Sequence, residues 1–197
     1  MKKRIAFFDF DGTITTRDTL LEVIKFYKGN FKFYFGFIVN APFLIAYKAG
    51  IISNQSAKER VLKYFFGGIK QESFQQRCNE FSASHIAQLI RPKALHEIEK
   101  LKGAGAEVVI VSASAENWIA AWCKENNLQL IGTKLQVVND LLTGKIEGFN
   151  CYGKEKVNRI NKAFDLLGYD EIFCYGDTKG DKPMLELATF SFYKPFR

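Results

Sequence analysis

The sequence predicts an α/β fold: a parallel sheet doubly wound with helices on both faces, carrying a small inserted helical cap. Three observations predict it. Short continuous apolar runs at residues 5–8, 106–112 and 171–175 suit strands buried on both faces. Stretches with apolar residues at helical spacing alternate with these runs from residue 92 onward. Residues 15–88 break the alternation, which divides the chain into a core of 1–14 plus 89–197 and a cap of 15–88.

The first strand stops in two carboxylates, Asp9 and Asp11, followed by Gly12 and Thr13. Like charges one residue apart destabilise each other unless a cation lies between them. With Mg²⁺ present, one acid can serve as nucleophile and ligand while the other supplies or removes a proton. The bland alternative is a solvated strand end closing in an Asp-Gly turn. Leu20, Ile24 and Tyr27 then fall at helical spacing, and Gly29 ends that helix. Next come seven aromatics, Phe31, Phe33, Tyr34, Phe35, Phe37, Phe43 and Tyr47, with no charge between Lys32 and Lys48. Gly36, Asn40 and Pro42 interrupt this stretch in its middle.

A membrane span there conflicts with topology. Asp9 and the residues beyond 110 belong on one side of a bilayer, so crossings must be even in number. The other apolar stretch before residue 110, residues 61–69, is too short and carries Lys63. Residues 31–49 therefore read as part of the cap, either packed inside the protein or facing lipid.

From Pro92 a helix carries Leu95, Ile98 and Leu101 and closes at Gly103 or Gly105. The second strand ends in Ser112, and Ser114 is placed to cap the helix bearing Trp118, Ala121 and Trp122. Residues 130–149 read as a short strand and a hairpin around Thr143-Gly144. Val157, Ile160, Phe164 and Leu167 form one stripe of an amphipathic helix over 154–167. The third strand ends in Gly176-Asp177, Lys182-Pro183 opens a last helix, and residues 190–193 make a final strand. Ligands of such sheets sit beyond the carboxyl ends of the strands, so Asp9, Ser112 and Asp177 share one rim. Asp181 supports Asp177 from a helix start, and Lys156 or Lys154 adds the cation.

Asp-Phe-Asp-Gly-Thr, Val-Ile-Val-Ser, a lysine opening a helix and Gly-Asp-x-x-x-Asp occur here in one order across residues 5–187. Together they resemble the haloacid dehalogenase-like phosphohydrolase superfamily, whose core is Rossmann-like. The position of the insert resembles the phosphoserine phosphatase branch, with its small helical cap. The resemblance implies Asp9 as nucleophile, forming an aspartyl-phosphate, and Asp11 as general acid and base. It implies Mg²⁺ on the Asp9 and Asp177 carboxylates and the Asp11 carbonyl, with Asp181 in support. Ser112 and the Ala113 N–H would bind phosphoryl oxygens, and Lys156 would offset their charge. Lys156 is preferred to Lys154 because Cys151-Tyr-Gly-Lys-Glu-Lys-Val resembles the Cys-x-Gly-x-Glu-Lys-Val run of bacterial phosphatidylglycerophosphate phosphatases.

For the substrate the two branches differ. A phosphoserine phosphatase reading places Asp18 and Arg60 on the amino-acid moiety, although Gly180 and Ala113 depart from that branch's pattern. The phosphatidylglycerophosphate phosphatase reading takes residues 31–49 and the positive charge as fitting a lipid-like phosphate ester. The expected partner is thus a phosphorylated small molecule or lipid-like ester, with peripheral membrane contact through the aromatic cap. A non-catalytic interaction module is the reading from another class, and the intact acid pair argues against it.

Composition sets the remaining bounds. The chain is 47% hydrophobic, enough for a sizeable core. Cys78, Cys123, Cys151 and Cys174 lie far apart with no Cys-x-x-Cys spacing, which disfavours zinc and a disulfide scaffold and suits a reducing cytosol. Met-Lys-Lys-Arg looks like the head of an export signal, but Asp9 interrupts the apolar run too early. A cytoplasmic location is expected, including the inner face of the membrane. The net charge of +7 favours anionic partners, and without a basic stripe or nucleic-acid motif no nucleic acid is expected.

Overall fold

Strand residues here alternate between two covered faces. The computed structural model describes residues 2–197. In chain order the elements are β1 (Arg4–Phe8), α1 (Thr19–Lys48), α2 (Asn54–Phe66), α3 (Gln71–Phe81), α4 (Ala87–Leu89) and α5 (Pro92–Gly103). Then follow β2 (Glu107–Ala115), α6 (Glu116–Glu125), β3 (Gln129–Thr133), β4 (Leu135–Val138), β5 (Leu141–Ile146) and α7 (Lys154–Ala163). The chain closes with β6 (Glu171–Gly176), α8 (Lys182–Leu185) and β7 (Phe190–Tyr193). Five strands pair in parallel in the order β3-β2-β1-β6-β7, while β4 and β5 form a separate antiparallel pair.

Ala6 and Phe8 of β1 join a large core with Ile110, Tyr175 and Trp118; Ile5 and Phe7 join a smaller one with Val109, Cys174 and Ile160. That two-residue period is the signature of a strand covered on both sides. The order reverses beside β1, because β2 and β3 extend one way and β6 and β7 the other. Asp9 follows β1 and Asp177 follows β6, its neighbour, so both acids stand at the switch point. The Asp9 N–H donates to the Tyr175 carbonyl at 2.9 Å, carrying the pairing one residue past β1.

The helices from α1 to α4 fill the insert between β1 and α5. Val61, Leu62, Phe65, Phe66, Phe74 and Phe81 are buried in the same core cluster as Phe8 and Trp118, so the insert rests on the sheet domain. The β4–β5 hairpin grips its other side: Gly68 N–H donates to the Leu142 carbonyl at 2.8 Å, and Leu142 N–H to the Ile69 carbonyl at 2.9 Å. At Gly144 a Cβ would lie 2.2 Å from the Lys63 Cα, so only glycine lets hairpin and α2 meet.

Several local expectations change. Gly29, with φ of 77°, breaks α1 as expected, but Gly36, Asn40 and Pro42 do not interrupt the helix that follows. The Asn40 side-chain amide donates to the Gly36 carbonyl at 2.8 Å, and a Cβ on Gly36 would meet the Phe65 ring, so these residues serve packing. The hairpin turns at Asn139 and Asp140, both at positive φ, and Thr143-Gly144 lies within β5. β2 runs through Ala115, paired with Thr133, so Ser114 is a strand residue and caps nothing. α7 stops at Ala163, because Phe164 is extended, which leaves Leu167 97% exposed instead of on the stripe. Among the described residues no helix is long and apolar enough to cross a membrane, and all four cysteines are buried and free.

Candidate active site

Beyond the carboxyl ends of β1 and β6 the sheet carries a knot of buried charge. Asp9 is 6% exposed and Lys156, from the first turn of α7, 1%. Lys156 Nζ donates to Asp9 Oδ1 at 2.6 Å and to Asp181 Oδ1 at 2.7 Å. Thr13 Oγ1 lies 3.0 Å from Asp9 Oδ2 and 3.3 Å from Asp177 Oδ1. Asp181 Oδ2 accepts from the N–H groups of Asp177 and Thr178 and from the Thr178 hydroxyl, at 3.2, 2.9 and 2.8 Å. This is a reciprocal cap between Thr178 and Asp181, and it fixes the loop after β6. Lys154, unlike Lys156, has no place in this network among the described residues.

Burial pushes the Asp9 carboxyl up to about 7, against the pull of Lys156. Burial also pushes Asp177 up, reinforced by the charge of Asp181. At Asp181 burial acts in the same direction, but the charge and hydrogen bond of Lys156 outweigh it and hold the carboxyl below the usual range. Lys156 is held above the ordinary lysine value: burial lowers it, and Asp9 and Asp181 more than reverse that.

Three carboxylates thus have oxygens within 4.8 Å of one another, against one buried lysine. The Arg197 guanidinium reaches Asp177 Oδ2 from the half-exposed side and adds one positive charge there. An all-oxygen donor set with surplus negative charge fits a hard divalent cation such as Mg²⁺. Gly12 keeps the room open: at φ of 80° it brings backbone against Asp177, and a Cβ would sit 2.6 Å from Oδ2.

Asp11 faces the other way. Its Oδ1 accepts the Thr19 N–H at 2.7 Å, and its Oδ2 accepts the Ser114 hydroxyl at 2.5 Å. Ser112 Oγ stands 3.4 Å from the same oxygen and accepts the Ser114 N–H at 2.9 Å. Ser112 is wholly buried, and it is Ala113 and Ser114 that line the cavity. That cavity, about 350 Å³, opens from Asp9 and Asp11 toward Leu20, Leu21, Phe37 and Leu44 of α1 and Ala57 and Val61 of α2.

Asp18 reaches the wall, but Oδ1 caps α1 by accepting from Leu20 N–H at 2.9 Å and Leu21 N–H at 3.3 Å. Arg60 is not brought to the site. α2 turns Asn54, Ala57, Lys58 and Val61 inward, which leaves Arg60 stacked on the Phe43 ring at 4.2 Å. The cation that α2 does contribute is Lys58, which no motif singled out. Ser114 was also missed as a cavity residue, because the strand was expected to end at residue 112.

The sequence model of the haloacid dehalogenase-like hydrolases matches residues 6–186. Protein CicA of Caulobacter vibrioides is 32% identical over 194 residues, covering 96% of this chain and 85% of that protein. A histidinol-phosphatase of Neisseria meningitidis is 24% identical over 209 residues, covering 95% of this chain and 88% of that protein. Among solved structures, a substrate-bound phosphoserine phosphatase superposes with a TM-score of 0.70 at 17% identity, covering 98% of this chain and 86% of that one.

Proposed function

The chain belongs to the haloacid dehalogenase-like hydrolase family and is a phosphatase of that family, and we propose that it hydrolyses a phosphomonoester through Asp9. The observation that carries this reading is the pinning of Asp9, at a strand end, between Lys156 and Thr13. A carboxylate so oriented has one side fixed and the cavity before it.

Asp9 attacks phosphorus as the ester P–O bond breaks, and Asp11 gives its proton to the departing alkoxide, leaving alcohol and aspartyl-phosphate. Asp11, now a carboxylate, takes a proton from water, and the hydroxide adds to phosphorus. The Asp9–phosphorus bond then breaks, releasing inorganic phosphate and restoring the carboxylate. Asp11 is aimed by the Thr19 N–H at the start of α1, which ties proton transfer to the insert acting as a cap. The Ala113 N–H would hold a phosphoryl oxygen, while Ser112 and Ser114 position the Asp11 carboxylate from below. Mg²⁺, held by Asp9, Asp177 and the Asp11 carbonyl with Asp181 in support, would offset the charge of nucleophile and phosphate.

An apolar wall of Leu20, Leu21, Phe37, Leu44 and Val61 beside the acid pair favours an ester with a hydrophobic, lipid-like alcohol. Phe31, Tyr34, Phe35, Ile38 and Ile45 are exposed on the outside of the same helix, near Lys28, Lys32 and Lys48, which suits contact with an anionic lipid surface. A small soluble ester carrying an amine is the second reading, favoured by the acid Asp18 on the wall.

Hydrolysis of p-nitrophenyl phosphate with Mg²⁺ tests the chemistry: Asp9→Asn should lose at least about 10³-fold. Equal rates would remove the nucleophile assignment. Phosphate release from phosphatidylglycerophosphate in mixed micelles should exceed release from phosphoserine or histidinol phosphate. The reverse ranking ends the lipid reading.

A further inference from the structure

Lys58 is the cation that α2 carries into the cavity, and its surroundings are built for it. Its ammonium donates to the Ala113 carbonyl and, at 3.1 Å, to Asn150 Oδ1, crossing from insert to sheet domain. Asn150 is itself held on all sides. Its Nδ2 donates to Asn54 Oδ1 at 2.6 Å, its N–H to Gln55 Oε1 at 3.1 Å, and its Oδ1 also accepts the Thr133 hydroxyl at 2.9 Å. An ammonium has three donors, and among the described residues these two acceptors are the partners of Lys58. Burial brings the lysine down to about 8, although Asp11 and Asp18 pull the other way. A half-buried amine with a spare donor, on the side of the cavity away from Lys156, suits an anion there.

We propose that Lys58 is a second phosphoryl-binding cation, delivered by the insert, that holds a substrate oxygen on the Ala113 side of the cavity while Lys156 serves the Asp181 side. The proposal rests on the phosphatase reading and adds a residue to it. Phosphoryl transfer is governed by positioning and by neutralising equatorial oxygens, so a cation arriving with the cap couples closure to charge.

The test compares wild type, Lys58→Ala, Lys58→Arg and Gln55→Ala with p-nitrophenyl phosphate and Mg²⁺, and measures inorganic phosphate binding by calorimetry. Gln55 bonds the Gly148 carbonyl and the Asn150 N–H, so Gln55→Ala cuts the same seam but leaves the ammonium. Lys58→Ala should lose about 10- to 100-fold in both kcat/KM and phosphate affinity, the worth of one charged hydrogen bond. Lys58→Arg should recover part of both, and Gln55→Ala should change phosphate affinity less than about twofold.

The pH profile adds a readout that a latch alone would not move. Asp11, Asp18 and Cys151 act on this lysine, and Asp9, Asp181, Lys156 and the hydroxyls of Tyr47 and Tyr152 share its cavity. Its loss of charge should lower kcat/KM above pH about 8 in wild type, and Lys58→Arg should move that limb upward. Unchanged phosphate affinity in Lys58→Ala, or a Gln55→Ala variant that reproduces the whole loss, overturns the proposal. A wild type that splits no ester sinks the phosphatase reading, while phosphate binding still decides the role of Lys58.

Discussion

The floor of the cavity and its roof are built on opposite plans. On the floor Asp9, Asp177, Asp181 and Lys156 stand at strand ends and a helix start, buried and mutually bonded. The roof, α1 and α2, presents apolar side chains inward, one lysine, and an aromatic face outward. Buried charges tolerate no slack, because each loses its solvation and must recover it from a partner. Apolar walls can change shape at small cost. Under the proposed function the floor carries the nucleophile and the metal while the apolar part of the roof selects the alcohol, so substitutions on the two should fail differently.

The largest effect is expected at Lys156. Lys156→Met leaves Asp9 and Asp181 facing each other without a cation, which should cost about 3–5 kcal/mol of stability. It should also cost at least about 10³-fold in kcat. Denaturant unfolding and p-nitrophenyl phosphate kinetics check the two together. A variant as stable as wild type would mean that the floor is not a charge network. Gly12→Ala comes next: strain at positive φ and the clash with Asp177 should cost about 1–3 kcal/mol. The displaced carboxylate should weaken Mg²⁺ activation by about tenfold or more, read as a shift in the metal concentration for half-maximal rate. No variant of the apolar roof should show both losses.

The same division governs what could be read from the sequence. Strand ends are set by short apolar runs, so Asp9 and Asp177 were legible, and the parallel sheet followed from the alternation. Lys156 is separable from Lys154 by a motif, and in the structure it is Lys156 that bonds Asp9 and Asp181. Ser114 was not legible, because pairing of Ala115 with Thr133 prolongs β2 past the hydroxyl that looked terminal. Lys58 was hidden for a different reason. It is one of two lysines on an amphipathic helix, and which face turns inward depends on packing against the hairpin, as Gly144 against Lys63 illustrates. Arg60, two residues on, had the more familiar look and the wrong phase.

The inner roof should respond through substrate choice. Phe37→Ala and Leu44→Ala shorten the apolar wall without touching a charge. Each should raise KM for a long-chain phosphate ester by about tenfold, since a lost apolar contact of this size is worth about 1–3 kcal/mol. Turnover of p-nitrophenyl phosphate should stay within about twofold. If both substrates suffer equally, the wall supports the floor and does not select the alcohol.

The smallest effect in bulk solution is expected outside. Phe35 is 54% exposed and Ile38 71%, so Phe35→Ser with Ile38→Ser removes little that folding buries. Stability should move by no more than about 0.5 kcal/mol per site and soluble-substrate kinetics not at all. On anionic vesicles the same pair should lower partitioning by at least about tenfold, because inserting a large apolar side chain is worth about 1.5–3 kcal/mol. Raising salt should weaken binding separately, through Lys28, Lys32 and Lys48, each worth about 1 kcal/mol near such a surface. The two dependences distinguish the partners. A lipid surface answers to both, whereas a second copy of the chain would reveal itself as a change in sedimenting mass, with vesicle binding untouched by the double variant.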